Sequence, residues 1–447
     1  MKKQENRNRV FFGLGTIGRD MFYSFEANTI LYFLSDVLSL PVWVFAAVSM
    51  VLSVLRIFDA FNDPITGLLI DNIRSPWGKF KPAILVGGAL STVFFLLLFA
   101  GIGDGWTFVV IFGAAYLLWD IAFGINDIGY WTLLPAMTQD QKQREKNGTF
   151  ARICANIGAY AVMVAWQPVT SALGDTPRTW FWCAVVISIL YLGGLLFPLL
   201  GVKEKRQAQD QQESTSLKQM WDALVKNDQL MWTTLAMGLF MVAFSTTVNF
   251  AVYYMKYIFG NESLYVVLVA VVGVSQLSAL GVYNTVAAHF TRRQLYSLST
   301  VLVVAGYLIF FFAELSLVLI VIGAVLVFVG QAFIQMLMLM FLADTIEYGQ
   351  WKLGKRNESI TFSIQPLVNK IGGALATGIV SLTLIISGIK IENGTADFIG
   401  TSGQLMVKGA MFAVPLVFIV LGYVIYLNKY KISEEFYAGI LKDLNDE

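Results

Sequence analysis

Long apolar runs, broken by glycine, proline and clusters of charge, dominate the pattern of the chain. These runs predict helices, and each helix has at least the roughly 20 residues that a membrane span needs. The first set lies near 10–38, 42–72, 81–102, 107–135, 149–173 and 179–202. The second lies near 230–258, 263–290, 294–313, 316–345, 359–388 and 404–428. We therefore predict an all-α polytopic membrane protein with about twelve transmembrane helices in two six-helix halves.

A polar stretch separates the two sets of helices. It runs from Lys203 to about Asp228 and contains the sequence QAQDQQESTS. Such a composition is typical of a solvated linker. The predicted organisation is an N-terminal six-helix bundle over 1–202, a cytoplasmic linker over 203–228, a C-terminal six-helix bundle over 229–428 and a cytoplasmic tail over 429–447.

The composition excludes several classes of protein. Apolar residues make up 57% of the chain and charged residues 14%, against roughly 25% charged in soluble domains. The formal net charge is only +1, so nothing indicates nucleic-acid binding. Two cysteines and a single histidine make a disulfide framework and a Cys/His zinc site improbable.

Positive charge is unevenly distributed between alternate loops. One side of the predicted membrane has five loops rich in lysine and arginine, near 74–81, 142–146, 203–206, 292–293 and 352–356. The opposite loops hold little beyond Arg178, Lys256, Lys390 and Lys408. The positive-inside rule therefore places both termini in the cytoplasm of a protein that crosses the plasma membrane many times.

A weak internal repeat relates the two halves. Around the end of the fourth predicted helix the chain reads Asp127, a charged loop, then Thr149-Phe150-Ala151. Around the end of the tenth it reads Asp344, a charged loop, then Thr361-Phe362-Ser363. Duplicated halves are common in secondary transporters, whose substrate site lies at the bilayer midplane between the repeats.

Ionisable residues at membrane depth are costly, which makes each a candidate for function. Asp59 and Asp63 in the second predicted helix are one turn apart on one face, and Arg56 precedes Asp59 by one turn. Two close carboxylates repel unless a proton or a cation lies with them. This describes a site for Na⁺ or H⁺ to which Asn62 adds an oxygen; the alternative is a structural Arg56–Asp59 ion pair with Asp63 at the aqueous end of the helix.

A second candidate group lies in the fourth predicted helix. Asp120 and Asp127 are seven residues apart and share a face, and Trp131 follows one turn later. A carboxylate accepts hydrogen bonds from sugar hydroxyls while an indole covers the apolar face of the ring. The alternative for Trp131 is an aromatic residue of the membrane interface. Arg152 and Lys370 are candidate counter-ions to these acids, and for Lys370 a structural or gating role stays open.

Two longer motifs resemble those of a known family. The segment RIFDAFNDPITGLLIDNIRSPWGKFKPAIL, residues 56–85, resembles the second helix and following loop of the glycoside/pentoside/hexuronide:cation symporters of the major facilitator superfamily. The segment ADTIEYGQWKLGKR, residues 343–356, resembles the loop after the tenth helix of that family. The resemblance continues in order across nearly the whole chain and implies the major facilitator fold.

The resemblance implies roles for individual residues. The cation site corresponds to Asp59, Asp63 and Asn62. The sugar site corresponds to Arg19, Asp20, Asp127, Trp131, Arg152 and Lys370. A gating loop corresponds to Arg74, Trp77, Gly78 and Lys79.

The chain also departs from the pattern of the melibiose permeases in this family. Gly124 stands where they have a hydroxyl residue near the cation, which indicates weaker Na⁺ binding or coupling to H⁺. Glu26 and Asp120 are additional acids. One hypothesis is that they bind a positive group of the substrate or carry a proton; the alternative is that they pair with Arg19 or Lys256.

These observations together predict a cation-coupled symporter of a sugar or glycoside that works by alternating access. The coupling ion is Na⁺ or H⁺, no cofactor is expected, and the protein is expected to function as a monomer in the lipid bilayer. A transporter of amphiphiles such as lysolipids or drugs is the alternative on the same fold. An enzyme is not supported, since no nucleophile, base and orienting group occur together.

Overall fold

The computed structural model of the chain describes residues 2–71, 75–78, 80–138, 141–203, 221, 224–313, 316–354, 358–391, 394–395 and 398–446. Six long helices form the first half: α1 (Lys2–Tyr32), α2 (Val42–Asp71), α3 (Lys81–Phe99), α4 (Gly105–Met137), α5 (Gln141–Leu173) and α6 (Pro177–Gly201). The second half contains α7 (Asp228–Tyr253), α8 (Tyr265–Ala287), α9 (Arg292–Phe312), α10 (Leu317–Leu353), α11 (Glu358–Ile386), α12 (Thr401–Lys408), α13 (Val414–Lys429) and α14 (Glu434–Asp446).

Eleven helical segments within the described ranges are long and apolar enough to cross a membrane. One of them, Thr401–Lys429, joins α12 and α13 through a π-helical turn at Gly409–Ala413. Helix α1 is not among the eleven because Arg19, Asp20 and Glu26 interrupt its apolar part. Its length of 31 residues still exceeds the requirement for a span. The all-α polytopic fold predicted from the sequence is confirmed.

The chain divides into two compact units, Met1–Ser214 with Lys390–Thr395, and Thr215–Ile389 with Ala396–Glu447. In the first unit α1 packs along both α5 and α6. Close approach depends on glycine: a Cβ on Gly18 would lie 2.5 Å from the carbonyl oxygen of Leu190, and one on Gly158 would lie 2.2 Å from that of Ile17. These contacts hold the charged helix α1 inside the unit.

Several predicted loops are helical. Helix α5 begins at Gln141, so the basic residues near 142–146 belong to a helix and not to a loop. Helix α10 continues to Leu353, which makes most of the predicted loop after the tenth helix helical. The predicted tail contains α14, and Ile432 and Ile440 there bury their side chains with Tyr348 of α10.

A small hairpin of two strands, β1 (Lys390–Ile391) and β2 (Gly394–Thr395), lies between α11 and α12. It belongs to the first unit, where it packs near the π-helical turn that ends α1 at Phe33–Val37. The Nζ atom of Lys390 donates a hydrogen bond to the carbonyl oxygen of Ser35 over 2.8 Å. Lys390 is only 2% exposed, and its ammonium lies 5.5 Å from the centre of the Phe45 ring.

Candidate functional site

Helices α1 and α4 are joined by a buried arginine that faces two carboxylates. The side chain of Arg19 is 6% exposed; its Nη1 donates to Oδ1 of Asp127, and its Nη2 lies 3.4 Å from Oδ2 of Asp20. The carboxylates keep more access than the guanidinium, with 39% exposure for Asp127 and 22% for Asp20. A cation between two partly accessible acids fixes the direction in which their remaining lone pairs point.

Two aromatic rings complete the surroundings of Arg19. Its guanidinium carbon lies 5.2 Å from the centre of the Tyr130 ring and 5.1 Å from that of Trp131, within the range of a cation–π contact. Phe12 packs against Trp131 at a centroid distance of 6.0 Å, and the Tyr130 hydroxyl donates to the carbonyl oxygen of Phe12. Trp131 is half-buried, so its indole is held in the cluster with part of its surface accessible.

Two polar atoms of this cluster stay unsatisfied. Within the described residues, Nε of Arg19 and Oδ2 of Asp20 are buried and have no hydrogen-bond partner. Buried polar atoms without partners are rare in folded proteins and costly. One is a donor and the other an acceptor, which matches the two properties of a hydroxyl group.

The other predicted sugar ligands are placed differently. Arg152 on α5 is exposed, and its charge acts on the carboxylate of Asp20. It therefore belongs to the surroundings of the cluster. Lys370 is half-buried on α11 of the second unit, and its role as a sugar ligand stays a prediction.

The predicted cation site is described only in part. Asp59 on α2 is half-buried. The backbone of Asn62 and Asp63 continues the same helix, but their side chains lie outside the described residues. The spacing of Asp59 and Asp63 within one helix holds, whereas the geometry of the cation site stays a prediction.

A second charged group of the first unit contains the additional acid Glu26. Its side chain is 2% exposed, and Oε1 accepts a hydrogen bond over 3.1 Å from Nη2 of Arg56. The Nε atom of Arg56 donates to the Tyr116 hydroxyl over 3.1 Å. Glu26 thus pairs with Arg56, whereas the alternative drawn from the sequence paired it with Arg19 or Lys256; Arg19 faces Asp20 and Asp127. The charge of Asp120, which is buried one turn after Tyr116, acts on this tyrosine.

The predicted gating loop also falls partly outside the described residues, which exclude Arg74 and Lys79. Trp77 is 67% exposed in a tight turn. Gly78 has a φ of 113° and its amide donates to the carbonyl oxygen of Ser75 over 3.2 Å. A positive φ of this size favours glycine.

Sequence reasoning missed the tyrosines of both groups. Tyr130 is the residue directly before Trp131, and Tyr116 lies one helical turn before Asp120. Each tyrosine is therefore a near neighbour of a residue that the sequence identifies as a candidate. In the second unit, Nη1 of Arg292 donates to Oδ2 of Asp344, and the Tyr430 hydroxyl donates to the same oxygen over 3.0 Å. Asp127 and Asp344, paired by the sequence repeat, thus each accept a hydrogen bond from an arginine of their own unit.

Comparisons with known proteins identify the family and the fold. Residues 11–434 match a family model described as MFS/sugar transport protein. The chain is 32% identical to a raffinose carrier protein of Pediococcus pentosaceus, covering 98% of this chain and 71% of that protein. It is likewise 32% identical to a lactose permease of Lactobacillus delbrueckii subsp. bulgaricus, covering 100% and 73%. A crystal structure of the nucleoside transporter NupG shares the fold, with a TM-score of 0.67 and 16% identity over 96% of this chain and 100% of that one.

Proposed function

Because the chain belongs to the MFS/sugar transport protein family, within which its motifs are those of the glycoside/pentoside/hexuronide branch, we propose that it carries a sugar or glycoside across the plasma membrane by cation-coupled symport. Membership makes it a transporter of the major facilitator superfamily and not an enzyme. Its relatives include a raffinose carrier and lactose permeases. Galactosides such as lactose and raffinose are therefore the first substrates to test.

The Arg19 cluster is the observation that carries the proposed sugar site. Asp20 and Asp127 supply carboxylate oxygens and Trp131 supplies an accessible aromatic surface. Nε of Arg19 and Oδ2 of Asp20 have no hydrogen-bond partner among the described residues, although Oδ2 lies in an ion pair with Nη2 of Arg19. The accessible carboxylate oxygens of Asp20 and Asp127 can accept hydrogen bonds from the hydroxyls of a sugar. The same buried donors and acceptors select against apolar cargo, because an apolar group would leave them unsatisfied. This argument favours a sugar over an amphiphile.

The cation site is the finer part of the proposal. It rests on the spacing of Asp59 and Asp63 on one face of α2 and on the repulsion between neighbouring carboxylates in a medium of low dielectric constant. A bound Na⁺ or H⁺ removes that repulsion. Coupling then means that the cation and the sugar each raise the affinity of the protein for the other by the same factor.

Uptake into proteoliposomes tests the function and the coupling ion. The purified protein is supplied with labelled lactose or raffinose and with a gradient of Na⁺, a gradient of pH, or neither. We expect one gradient to drive accumulation and Asp59→Asn to abolish that accumulation while sugar exchange continues. Accumulation by Asp59→Asn at the wild-type level would contradict the cation site, and absence of sugar exchange by the wild type across a panel of sugars would contradict the substrate class.

A further inference from the structure

A groove runs between α5 and α6 on the first unit. Both helices pack along α1 and have few contacts with each other, and Met21 and Phe25 of α1 form the floor of the groove between them. The cavity has a volume of about 600 Å³, within the roughly 300–1,000 Å³ of ligand pockets. Its walls are almost entirely apolar.

The walls of the groove are made from side chains that the first unit leaves exposed. On α5 these are Val169 and Leu173, which are 42% and 69% exposed, and on α6 they are Trp182 and Val186, which are 56% and 53% exposed. Both helices are apolar enough to cross a membrane. An open groove on two such helices is in contact with lipid.

A positive charge lies at one end of this apolar groove. Arg178 lines the cavity at the turn between α5 and α6. Among the described residues no carboxylate pairs with its guanidinium. The neighbouring Asp175 accepts hydrogen bonds from the Tyr32 hydroxyl over 3.3 Å and from Nε1 of Trp180, and its charge also acts on Cys183 in the groove wall. The beginning of α6 adds its partial positive charge at the same end.

We propose that the groove binds one anionic phospholipid, with the phosphodiester on Arg178 and one acyl chain along the groove. From Arg178 to Leu190, which also lines the cavity, helix α6 rises about 18 Å. That distance is close to the thickness of one leaflet of hydrocarbon, about 15 Å. Under the positive-inside prediction the lipid belongs to the outer leaflet. It is a resident lipid of the bilayer and not the transported substrate.

Charge complementarity selects a phospholipid over another occupant. The groove combines a guanidinium at the level of the membrane surface with an apolar channel below it, which complements the negative headgroup and apolar chain of an anionic lipid. Arginine binds phosphate through several donors of a planar fork. A second protein helix in the groove would meet the apolar part but leave Arg178 without an anion.

Native mass spectrometry of the purified full-length protein with added phosphatidylglycerol tests this site. Two variants test the contributions of the positive charge and of the apolar groove separately. Arg178→Ala removes the cation, and Ala165→Trp fills the groove from an exposed position on α5. We expect the affinity for the most tightly bound phosphatidylglycerol to fall about tenfold or more in each variant. Lys408→Ala and Val93→Trp, which change a cation and a membrane-facing valine elsewhere, should bind it as the wild type does.

The following outcomes would contradict the proposed lipid site. Wild-type affinity in both variants means that the groove holds no specific lipid, and a loss confined to Arg178→Ala means that only surface charge acts. Displacement of the lipid by millimolar inorganic phosphate would assign the site to a free anion. If Ala165→Trp does not yield folded protein, Ala161→Phe fills the same groove. In vesicles, phosphatidylglycerol with brominated acyl chains quenches the fluorescence of Trp182 if an acyl chain lies in the groove, and Trp182→Phe gives the background.

Discussion

Arg19 of α1 and Asp127 of α4 form an ion pair between residues 108 positions apart in the chain. The guanidinium also faces Asp20 and lies against the rings of Tyr130 and Trp131. Arg19 therefore sets the positions of both carboxylates and of the indole that we assign to the sugar. Its own side chain is almost completely buried, so its role is to hold these groups in place.

Replacement of Arg19 by lysine tests this role. Lysine keeps the charge but cannot face two carboxylates and two rings with one planar group. We expect Arg19→Lys to weaken sugar binding by roughly tenfold to a hundredfold without loss of the fold, measured by calorimetry or counterflow. Arg7→Lys on the same helix, where Arg7 bonds the carbonyl oxygen of Leu200, is the control. Equal sugar affinity in Arg19→Lys and the wild type would show that the cluster does not bind sugar.

Gly124 offers a test of the cation site by gain of function. A Cβ at this position on α4 meets no atom within 4 Å, so the helix accommodates a side chain there. If the hydroxyl that the resembling permeases have at this place contributes a cation ligand, Gly124→Thr should raise the apparent affinity for Na⁺ about fivefold in sodium-dependent uptake. Gly193→Thr, also a glycine with open space but on α6, should change nothing. An unchanged response to Na⁺ in Gly124→Thr would count against a sodium site beside α4.

The buried pair of Glu26 and Arg56 is expected to act on stability. Removing one partner of a buried ion pair costs about 3–5 kcal/mol. We expect Glu26→Gln to lower the melting temperature in detergent, and the double variant Glu26→Gln/Arg56→Gln to recover part of the loss. A wild-type melting temperature for Glu26→Gln together with a shifted pH profile of uptake would instead identify Glu26 as a proton carrier.

The burial of Lys390 predicts that docking of the β1–β2 hairpin depends on pH. Burial lowers the pKa of Lys390 from 10.5 to about 8. Between pH 8 and pH 10.5, therefore, Lys390 is protonated when the hairpin is undocked and deprotonated when it is docked. Docking is therefore least favourable below pH 8 and strengthens as the pH rises from about 8 towards 10.5. Hydrogen exchange of the amides at 390–395, corrected for its intrinsic dependence on pH, should show greater protection at pH 9.5 than at pH 7.

The matched variant for this prediction is Lys390→Met. It retains an unbranched side chain but cannot titrate, so the protection of its hairpin should not change over this pH range. A dependence on pH of the same size in Lys390→Met and the wild type would assign the effect to other groups.

The sequence predicts the helices better than the contacts between them. Apolar runs locate the spans because burial in lipid requires them. They do not distinguish a solvated helix end from a loop, and so they do not predict the beginning of α5 at Gln141. Periodicity also places Asp120 and Asp127 on one face of α4. It does not tell which helix that face meets, and the structure gives Asp127 to Arg19 while Asp120 lies with Tyr116.

The pairing of Arg56 shows the same limit. Its spacing in α2 offers a contact with Asp59 of the same helix as one alternative, but it does not predict the bond to Glu26 of α1 that the structure shows. Contacts between α1 and its neighbours depend on close packing at glycines such as Gly18. The glycines are visible in the sequence, but their partners are not.

Counterflow of labelled lactose or raffinose in proteoliposomes tests the central claim most directly, because it requires a sugar site but no ion gradient. The wild type is compared with Asp127→Asn, which removes the carboxylate charge facing Arg19, and with Asp104→Asn, an exposed acid of the loop before α4. We expect counterflow by the wild type and Asp104→Asn, and at least a roughly tenfold loss in Asp127→Asn. Counterflow by Asp127→Asn at the wild-type rate and affinity would contradict the assignment of the Arg19 cluster as the sugar site.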